Sequence, residues 1–471
     1  MTALNVLRRP VAALALGATL LAGCSMIPPY ERPAAPVAGD WPYPAAPGDT
    51  VARDLPWQQF FTDERLRRLI AIALDNNRDL RVSILNLEQA RAQYDIRRAD
   101  QVPNVGVAAG GSRVNSGKGG MVTTYAAGLA LSSWEIDLFG RVASLSEAAL
   151  AQFLATEEGR KAAQTSLVAS VANSWLTLVA DQELLDLTRR TLETREESLR
   201  LAKLRFDNGV SSELDLRQAQ SLAQSSRAAL AAFTRQQAVD LNALALLLGQ
   251  QVPADLIGTA TTASVTLPDL PAGTPSEVLT RRPDVRQAEE QLVAANANIG
   301  AARAAFFPRI SLTAGVGTAS GELNGLFAGG SWGWTAAPQL LQPIFDGGRN
   351  RAGLASATVG RDIAIAQYEK AIQSAFREVA DALAGRATYG DQLQALIGVA
   401  QAEGARYRLS DLRYKNGVAS YLDLLDSQRT LFTAETLVVQ TRLQQLQNKV
   451  LLYRALGGGW IEPEPSKTAA R

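Results

Sequence analysis

The sequence carries one passage twice, at a fixed spacing. Residues 413–428 read RYKNGVASYLDLLDSQ and residues 205–220 read RFDNGVSSELDLRQAQ, so that Asn416 stands 208 positions after Asn208. In each copy the Asn-Gly pair predicts the end of an amphipathic helix, because glycine adopts the left-handed conformation without steric cost. The serine that follows is a good N-cap for the next helix. One copy alone would suggest an ordinary helix–turn–helix with solvated acids. Two copies whose matching positions differ by a constant 208 residues indicate two versions of one design.

The composition excludes several kinds of site. The 47 basic and 46 acidic residues nearly cancel, so nothing indicates nucleic acid or another polyanion as a partner. The chain has no histidine and one cysteine, which excludes His-based triads, His-ligated zinc, disulfides within the chain and Cys-rich metal sites. Carboxylates, lysines and serines form no cluster in a context that suggests catalysis. We therefore expect neither an enzyme nor a bound metal or cofactor, apart from covalent lipid.

The N-terminus has the pattern of a lipoprotein signal. A basic start is followed by an apolar run over 11–21 and by Leu-Ala-Gly-Cys, which resembles a bacterial lipobox and ends at Cys24. We expect residues 1–23 to be a cleaved signal peptide and Cys24 to carry lipid. The alternative is an ordinary signal peptide with an incidental cysteine. Ser25 is not aspartate, which resembles the outer-membrane sorting pattern of Gram-negative lipoproteins.

Proline and periodicity divide the remaining chain. Eight of the twenty prolines lie within 28–56, where they favour an extended strap. The predicted segments are, in order, a lipid-anchored Pro-rich strap (24–60), a first structural repeat (61–257), a linker (258–274), a second structural repeat (275–460) and a C-terminal tail (461–471).

Each repeat contains helical periodicity of unusual length. In the first repeat the pattern over 138–207 corresponds to about 100 Å of helix at about 1.5 Å per residue. Proline is absent from 104–252 and again from 344–462. Because helices of globular proteins average about three or four turns, such lengths predict a coiled coil, a bundle or a helical barrel.

Shorter stretches in each repeat alternate apolar with small or polar residues and predict β-hairpins at 104–135 and 309–342. A small sheet packed on the helices is one interpretation. The strands are short of charge, however, and Trp332 and Trp334 suit a membrane interface. Outer-membrane barrels need about eight strands or more, so four strands per chain predict oligomerisation. Two chains would give eight strands, whose interior is filled by side chains, and three would give twelve strands and a pore.

A likeness to a known family covers the chain from Trp57 to Trp460 and rests on six motifs. They are FFTDERLRRLIAIALDNN (60–77), RRPDVRQAEEQL (281–292), FFPRISL (306–312), RYKNGV (413–418), YLDLLDSQR (421–429) and LYRALGGGW (452–460). Through these motifs the chain resembles the TolC-like outer-membrane factor family, most closely its OprM-like lipoprotein branch.

The resemblance implies an α+β membrane protein. The expected assembly is a homotrimer with a twelve-stranded β-barrel, continued by a long periplasmic α-helical barrel with a small mixed equatorial domain. It implies a lipid-anchored protein of the Gram-negative outer membrane that extends into the periplasm. The implied partners are outer-membrane lipid, a periplasmic adaptor protein and an inner-membrane transporter of the resistance-nodulation-division type.

The function that follows from the resemblance is a passive exit duct for drugs or other small molecules in a tripartite efflux pump. The exit duct of a type I protein secretion system or of a metal-efflux pump is the alternative. A periplasmic adaptor can also be a lipoprotein with long helical hairpins. It is disfavoured because it needs lipoyl-like β-domains and a single hairpin.

The resemblance also implies gate residues. Leu422 and Asp426 match the leucine and aspartate rings that close the periplasmic tip in OprM-like members, and Asp423 with Asp426 matches the paired aspartate rings of TolC. Their spacing puts all three on one helix face. In a trimer six carboxylates would surround one axis, repel one another and attract cations. Acids on a merely solvated helix face are the alternative interpretation.

Three further positions are implied as parts of a lock. Tyr414 matches a gate-locking tyrosine, Asp215 matches its aspartate partner, and Arg413 stands where OprM-like channels have a gate arginine. Ala419 stands where TolC has a second locking arginine, so we expect fewer ionic links here. The predicted adaptor-docking tips are Asn208-Gly209 and Asn416-Gly417.

Overall fold

The computed structural model describes residues 25–43, 55–115, 117, 120–258, 260–273 and 275–460. The predicted signal peptide, Cys24 and the predicted tail at 461–471 lie outside the described residues. Parts of the strap, of the linker and of the turn between the first two strands also lie outside them.

In each half of the chain, shorter helices are followed by two strands and then by two long helices. The first half contains α1 (Trp57–Phe60), α2 (Glu64–Asn76), α3 (Arg78–Ala99), β1 (Val105–Asn115), β2 (Met121–Ile136), α4 (Arg141–Asp207) and α5 (Glu213–Leu248). The second half contains α6 (Pro275–Leu279), α7 (Pro283–Ala304), β3 (Arg309–Ser320), β4 (Trp332–Leu341), α8 (Arg349–Lys415) and α9 (Tyr421–Ala455). Helices α3 and α7 both have 22 residues, and α4 and α8 both have 67. The expectation of a helix-rich chain with four strands is confirmed. Along the described helices, no stretch combines the length and apolarity needed to cross a lipid bilayer.

The chain forms two compact units. The sheet unit consists of the described residues of 1–34, Leu85–Glu158 and Arg286–Lys370. The helical unit consists of the described residues of Ala35–Ile84, of Gly159–Val285 and of 371–471. The long helices α4 and α8 contribute residues to both units.

The four strands of the sheet unit form one antiparallel sheet in the order β1-β2-β3-β4. The sequence predicted two hairpins, and the structure joins them by pairing β2 with β3. Gly128 faces Gly317 in this pairing, and a Cβ on Gly128 would lie 2.6 Å from the Cα of Gly317. Glycine is therefore required where the two hairpins meet. The outer edges of β1 and β4 have no partner strand in the described part of the chain.

Aromatic rings tie the beginning of the helical unit to its end. Phe60 stacks on Tyr453 with ring centroids 4.0 Å apart, and Phe61 meets the same ring edge-on at 6.0 Å. Both phenylalanines are fully buried. The Tyr453 hydroxyl donates a hydrogen bond of 2.6 Å to the carbonyl of Leu55. Helix α9 is thus fixed against the C-terminal end of the strap.

Two carboxyl groups meet between neighbouring helices of the helical unit. Asp181 of α4 lies beside Asp240 of α5, and Oδ1 of Asp240 accepts a hydrogen bond of 3.0 Å from Nε2 of Gln236. Burial, followed by the hydrogen bond and the negative charge of Asp240, raises the pKa of Asp181 to about 7. The pair therefore holds a proton in mildly acidic solution and loses it in mildly alkaline solution.

This pair predicts a loss of local stability as the pH rises. An unfolded aspartate has a pKa of about 3.9, so the folded pair keeps a proton that the unfolded chain releases. The stabilisation is complete below about pH 4 and is lost as the pH rises through about 7. We expect amide exchange in α4 and α5 around the pair, corrected for the intrinsic rate, to be faster at pH 8 than at pH 6.

The Asp181→Asn variant should remove most of this pH effect. Asp186→Asn is the matched control, because Asp186 is an exposed α4 aspartate whose carboxylate pairs with Arg189 at 3.0 Å. An undiminished pH effect in Asp181→Asn would show that another group titrates.

Candidate functional site

Two turns between long helices of the helical unit form the candidate site. They are tip 1 (residues 204–215, between α4 and α5) and tip 2 (residues 412–423, between α8 and α9). Gly209 and Gly417 adopt left-handed φ angles of 70° and 72°. Nδ2 of Asn208 and Nδ2 of Asn416 each donate a hydrogen bond of 2.7 Å to the carbonyl four residues earlier. The predicted docking residues thus occupy equivalent positions in two turns of the same form.

The backbone closes both turns in the same way. In tip 1 the Val210 amide donates to the carbonyl of Arg205 at 2.8 Å, and in tip 2 the Val418 amide donates to the carbonyl of Arg413 at 2.9 Å. This pattern satisfies carbonyls that a helix end leaves without partners. The identical bonding explains why the Asn-Gly-Val triplet occurs in both copies.

Each new helix starts with a reciprocal cap. In tip 1 the Asp215 amide donates to the Ser212 hydroxyl at 3.2 Å, and the Ser212 amide donates to the Asp215 carboxylate at 3.3 Å. In tip 2 Ser420 and Asp423 make the same two bonds, at 3.3 Å and 3.2 Å. Two residues that the family resemblance implies for the gate, Asp215 and Asp423, are therefore also the capping acids of α5 and α9.

The second predicted ring aspartate has a cationic partner. Asp426 forms an ion pair with Arg406 of α8, and Arg406 also bridges Glu403 at 3.1 Å. Leu422 is 57% exposed, whereas Leu424 beside it is buried. In the single chain, neither predicted ring aspartate is without a hydrogen-bond partner. No group of three or more metal-binding side chains comes together within the described residues.

Tyr414 joins the two tips through the faces of its ring. The guanidinium carbon of Arg205 lies 4.6 Å from the Tyr414 ring centroid, and the Tyr421 ring lies 5.4 Å away on a tilted plane. Tyr414 packs on a small core whose buried members are Ala202, Ala219, Leu222, Tyr421, Leu424 and Leu425. Helix α8 is therefore held to α4 at the level of the tips by packing and by a cation–π contact.

Tyr421 brings the predicted lock residues into one neighbourhood. Burial, followed by the nearby Tyr414 and Asp215, raises the pKa of Tyr421 to about 12. In the described chain the Tyr421 hydroxyl has no hydrogen-bond partner. The hydrogen bonds of Asp215 join it to Ser212, so a direct tie between Tyr414 and Asp215 stays a prediction. Arg413 is exposed at the end of α8.

The sequence patterns did not single out Arg205, Arg406 or Tyr421 as parts of the site. Arg205 could have been found, because it stands 208 positions before Arg413 and occupies the same place in the repeat. The partner of Asp426 could not have been found, because Arg406 lies 20 residues away on a different helix. No periodic pattern links such positions.

Comparison with known proteins relates both halves of the chain to one family. A family model described as outer membrane efflux protein matches residues 69–250 and 274–458. The toluene efflux pump outer membrane protein TtgC of Pseudomonas putida is 47% identical over 461 residues, which cover 95% of each chain. The outer membrane protein OprJ of Pseudomonas aeruginosa is 47% identical over 468 residues, covering 97% of this chain and 98% of the relative.

A solved structure has the same fold at similar coverage. The open state of the MtrE outer membrane channel of Neisseria gonorrhoeae superposes with a TM-score of 0.86 at 42% identity. The superposition covers 93% of this chain and 99% of that one.

The contacts of Tyr414 predict that its ring matters more than its hydroxyl. Tyr414→Phe should leave the tips as they are, whereas Tyr414→Ala should free α8 from Arg205. We expect Tyr414→Ala to speed amide exchange in the last turns of α8 by about two- to fivefold, the effect of losing a cation–π contact worth about 0.5–1 kcal/mol. Arg200→Gln is the control, because Arg200 pairs with Glu197 on the surface of α4. Equal effects of Phe and Ala would assign the restraint to the hydroxyl.

Proposed function

The chain belongs to the outer membrane efflux protein family, and we propose that it is the outer-membrane exit duct of a tripartite efflux pump. In this role it passively conducts drugs or other small molecules from a periplasmic adaptor and an inner-membrane transporter to the outside of a Gram-negative cell. The support comes from relatives at 47% identity that are named as efflux pump outer membrane proteins, and from a solved relative that is an outer membrane channel.

The observation that carries the proposal is the pair of open sheet edges. All residues of β1 and of β4 are exposed in the single chain, and unpaired backbone groups along such edges are costly in lipid. Because neighbouring strands are antiparallel, β1 and β4 run in opposite directions. The β4 strand of one copy can therefore pair with β1 of the next without changing the antiparallel pattern. Three copies would close twelve strands around a pore, and we infer a homotrimer of this kind.

The long helices then belong in the periplasm, with tips 1 and 2 as the docking face for the adaptor. Both tips expose apolar side chains on turns of the same form, and exposed apolar patches mark protein interaction surfaces. These side chains are Leu204, Val210 and Leu214 around tip 1 and Leu412, Val418 and Leu422 around tip 2. The gate of this channel would consist of Leu422, Asp423, Asp426, Arg413, Tyr414 and Asp215.

The strap supports a lipid anchor at Cys24. Followed back from Arg32 to Met26, the strap runs along α7 from Glu289 to Arg303. The Arg32 guanidinium binds Glu289 at 2.7 Å, and the Met26 carbonyl accepts a hydrogen bond of 3.4 Å from Arg303. The described start of the strap thus lies beside the end of α7 that leads into β3. Intact-mass spectrometry of the mature protein should show residues 24–471 with acyl chains, and an unmodified cysteine would remove the anchor.

The proposed function predicts rescue of an efflux-deficient cell. In a Gram-negative strain whose own exit duct is deleted, expression of this chain should restore tolerance to toluene, and the purified protein should have the mass of a trimer. Gly128→Ala should abolish both results, because its Cβ would strike the backbone of β3. Gly106→Ala is the matched control, because a Cβ there has nothing within 4 Å. A trimer that restores no tolerance to toluene or antibiotics would favour a protein-secretion or metal-efflux duct.

The ion pair of Asp426 predicts the sign of a charge effect at the gate. Arg406→Gln should raise the cation preference in planar bilayers, because it leaves Asp426 uncompensated in each copy. Asp426→Asn should lower the preference. Arg200→Gln removes the same charge from the surface of α4 and should change little. Equal selectivity in the Arg406 and Arg200 variants would place the constriction elsewhere.

A further inference from the structure

The strap lies along one face of α7. Glu289 accepts hydrogen bonds from Nε and Nη2 of Arg32 at 2.7 Å and 3.0 Å, and it accepts a third from the Tyr30 hydroxyl at 3.0 Å. Two helical turns later, Nδ2 of Asn296 donates to the carbonyl of Pro28 at 2.8 Å. Glu289 and Asn296 are 8% and 5% exposed. Because they are separated by about two turns, both side chains lie on the same face of α7.

Gly300 allows the strap to come close to this face. A Cβ at Gly300 would lie 2.6 Å from Cγ1 and 2.9 Å from the backbone nitrogen of Ile27, and 2.7 Å from Oγ of Ser144 on α4. Further along α7, Nη1 of Arg303 donates to the carbonyl of Met26 at 3.4 Å. No larger side chain therefore fits at position 300 unless the strap or α4 moves.

The lengths of the two segments in contact match. From Glu289 to Arg303 the helix rises about 21 Å, at about 1.5 Å per residue. From Met26 to Arg32 a fully extended chain spans about 20 Å, and the prolines of the strap favour an extended form. The strap therefore has almost no slack along α7, and it cannot shift along the helix without breaking its contacts.

These contacts limit where Cys24 can lie, because Ser25 alone separates it from Met26. The covalent chain confines Cys24 to within about 7 Å of Met26. In the described strap, the next side chain with a hydrogen bond is Trp41, whose Nε1 donates to the carbonyl of Gly273 at 2.9 Å. If Trp41 were the first fixed point, Cys24 could lie up to about 60 Å from it. The contacts with α7 thus shorten the reach of Cys24 roughly eightfold.

We propose that α7 holds the lipid anchor at one height on the sheet, beside the start of β3, by fixing the strap in one register. The inference rests on the proposed lipidation of Cys24 and adds the residues that position the lipid. Glu289 binds the guanidinium of the strap, Asn296 binds a strap carbonyl, and Gly300 leaves room for the strap backbone. These three are positioning residues for the anchor.

The test uses the full-length protein in phospholipid vesicles, with a nitroxide on one introduced cysteine. Ser25→Cys places the label at the anchor end of the strap, and Glu31→Cys places it beside Arg32. Both positions are exposed, and acylated Cys24 has no thiol to react. We expect both labels to be immobile in the parent. The label at 25 should have one depth relative to the bilayer, measured by collision with oxygen and with a water-soluble nickel complex.

Two variants should release the strap at its two ends. Gly300→Ala should mobilise the label at 25 and spread its depth, because the added Cβ displaces Ile27. Glu289→Gln should raise the mobile fraction of the label at 31 at least about threefold, because it removes the charge that binds Arg32. Parent-like spectra in both variants would overturn the inference, and so would a mobile label at 25 in the parent.

Each variant has a matched control. Gly353→Ala is also a glycine-to-alanine change inside a helix, but a Cβ at Gly353 has nothing within 4 Å. It gains helix propensity as Gly300→Ala does, so it should leave the label at 25 immobile. Glu290→Gln removes the charge of the next residue of α7, and it should leave the label at 31 immobile. Equal mobilisation by the controls would assign the effect to a general loosening of the protein and overturn the role of the contacts.

A double-variant cycle tests the pairing of Glu289 with Arg32. Arg32→Gln should mobilise the label at 31 as much as Glu289→Gln does, and the two changes together should add little. Additive effects would contradict the pairing. Intact mass reports acylation and the mass of the assembly reports the trimer, so the proposed function is tested separately. An acylated trimer with a mobile strap would overturn this inference alone, whereas an acylated chain with an immobile strap that forms no trimer would overturn the proposed function alone.

Discussion

Hydrogen bonding along the two open edges of the sheet is the constraint on which the rest of the structure depends. A strand with an unpaired row of amides and carbonyls is stable in lipid only when another strand covers it. Within one chain, the facing edges of β2 and β3 pair with each other, and Gly128 lies opposite Gly317 in this pairing. In the proposed assembly, the other two edges pair with strands of further copies. A repeat with one hairpin per half can therefore build a closed wall only as an oligomer.

The helices, turns and caps were predictable from the sequence because the bonds that hold them join residues close together in the chain. The turns at Gly209 and Gly417 depend on bonds between residues at most five positions apart. The caps at Ser212 and Ser420 reach three positions. The long helices are equally local, since each of their backbone bonds spans one turn. Because these signals recur at one spacing, the order of long helices and hairpins could be predicted without knowledge of tertiary contacts.

Contacts between distant positions account for what the sequence did not reveal. The pairing of β2 with β3 joins segments separated by helices α4 to α7, and a hairpin signal describes only the strands on either side of one turn. The same holds for the cation–π contact of Arg205 with Tyr414 and for the hydrogen bond of Arg195 with Ser226. A sequence shows where the charges are, but only the packing of helices shows which charges are compensated.

The partners of the two tip aspartates differ in kind, and this difference bears on any opening movement. Asp423 caps α9, the helix to which it belongs, so its hydrogen bonds travel with that helix as a rigid body. Asp426 is bound by Arg406 of α8, so its partner is lost whenever α8 and α9 move apart at this level. Separation of the two helices would therefore change the net charge felt near Asp426 and leave that near Asp423 unaltered. The charge near Asp426 therefore depends on the position of α8 relative to α9.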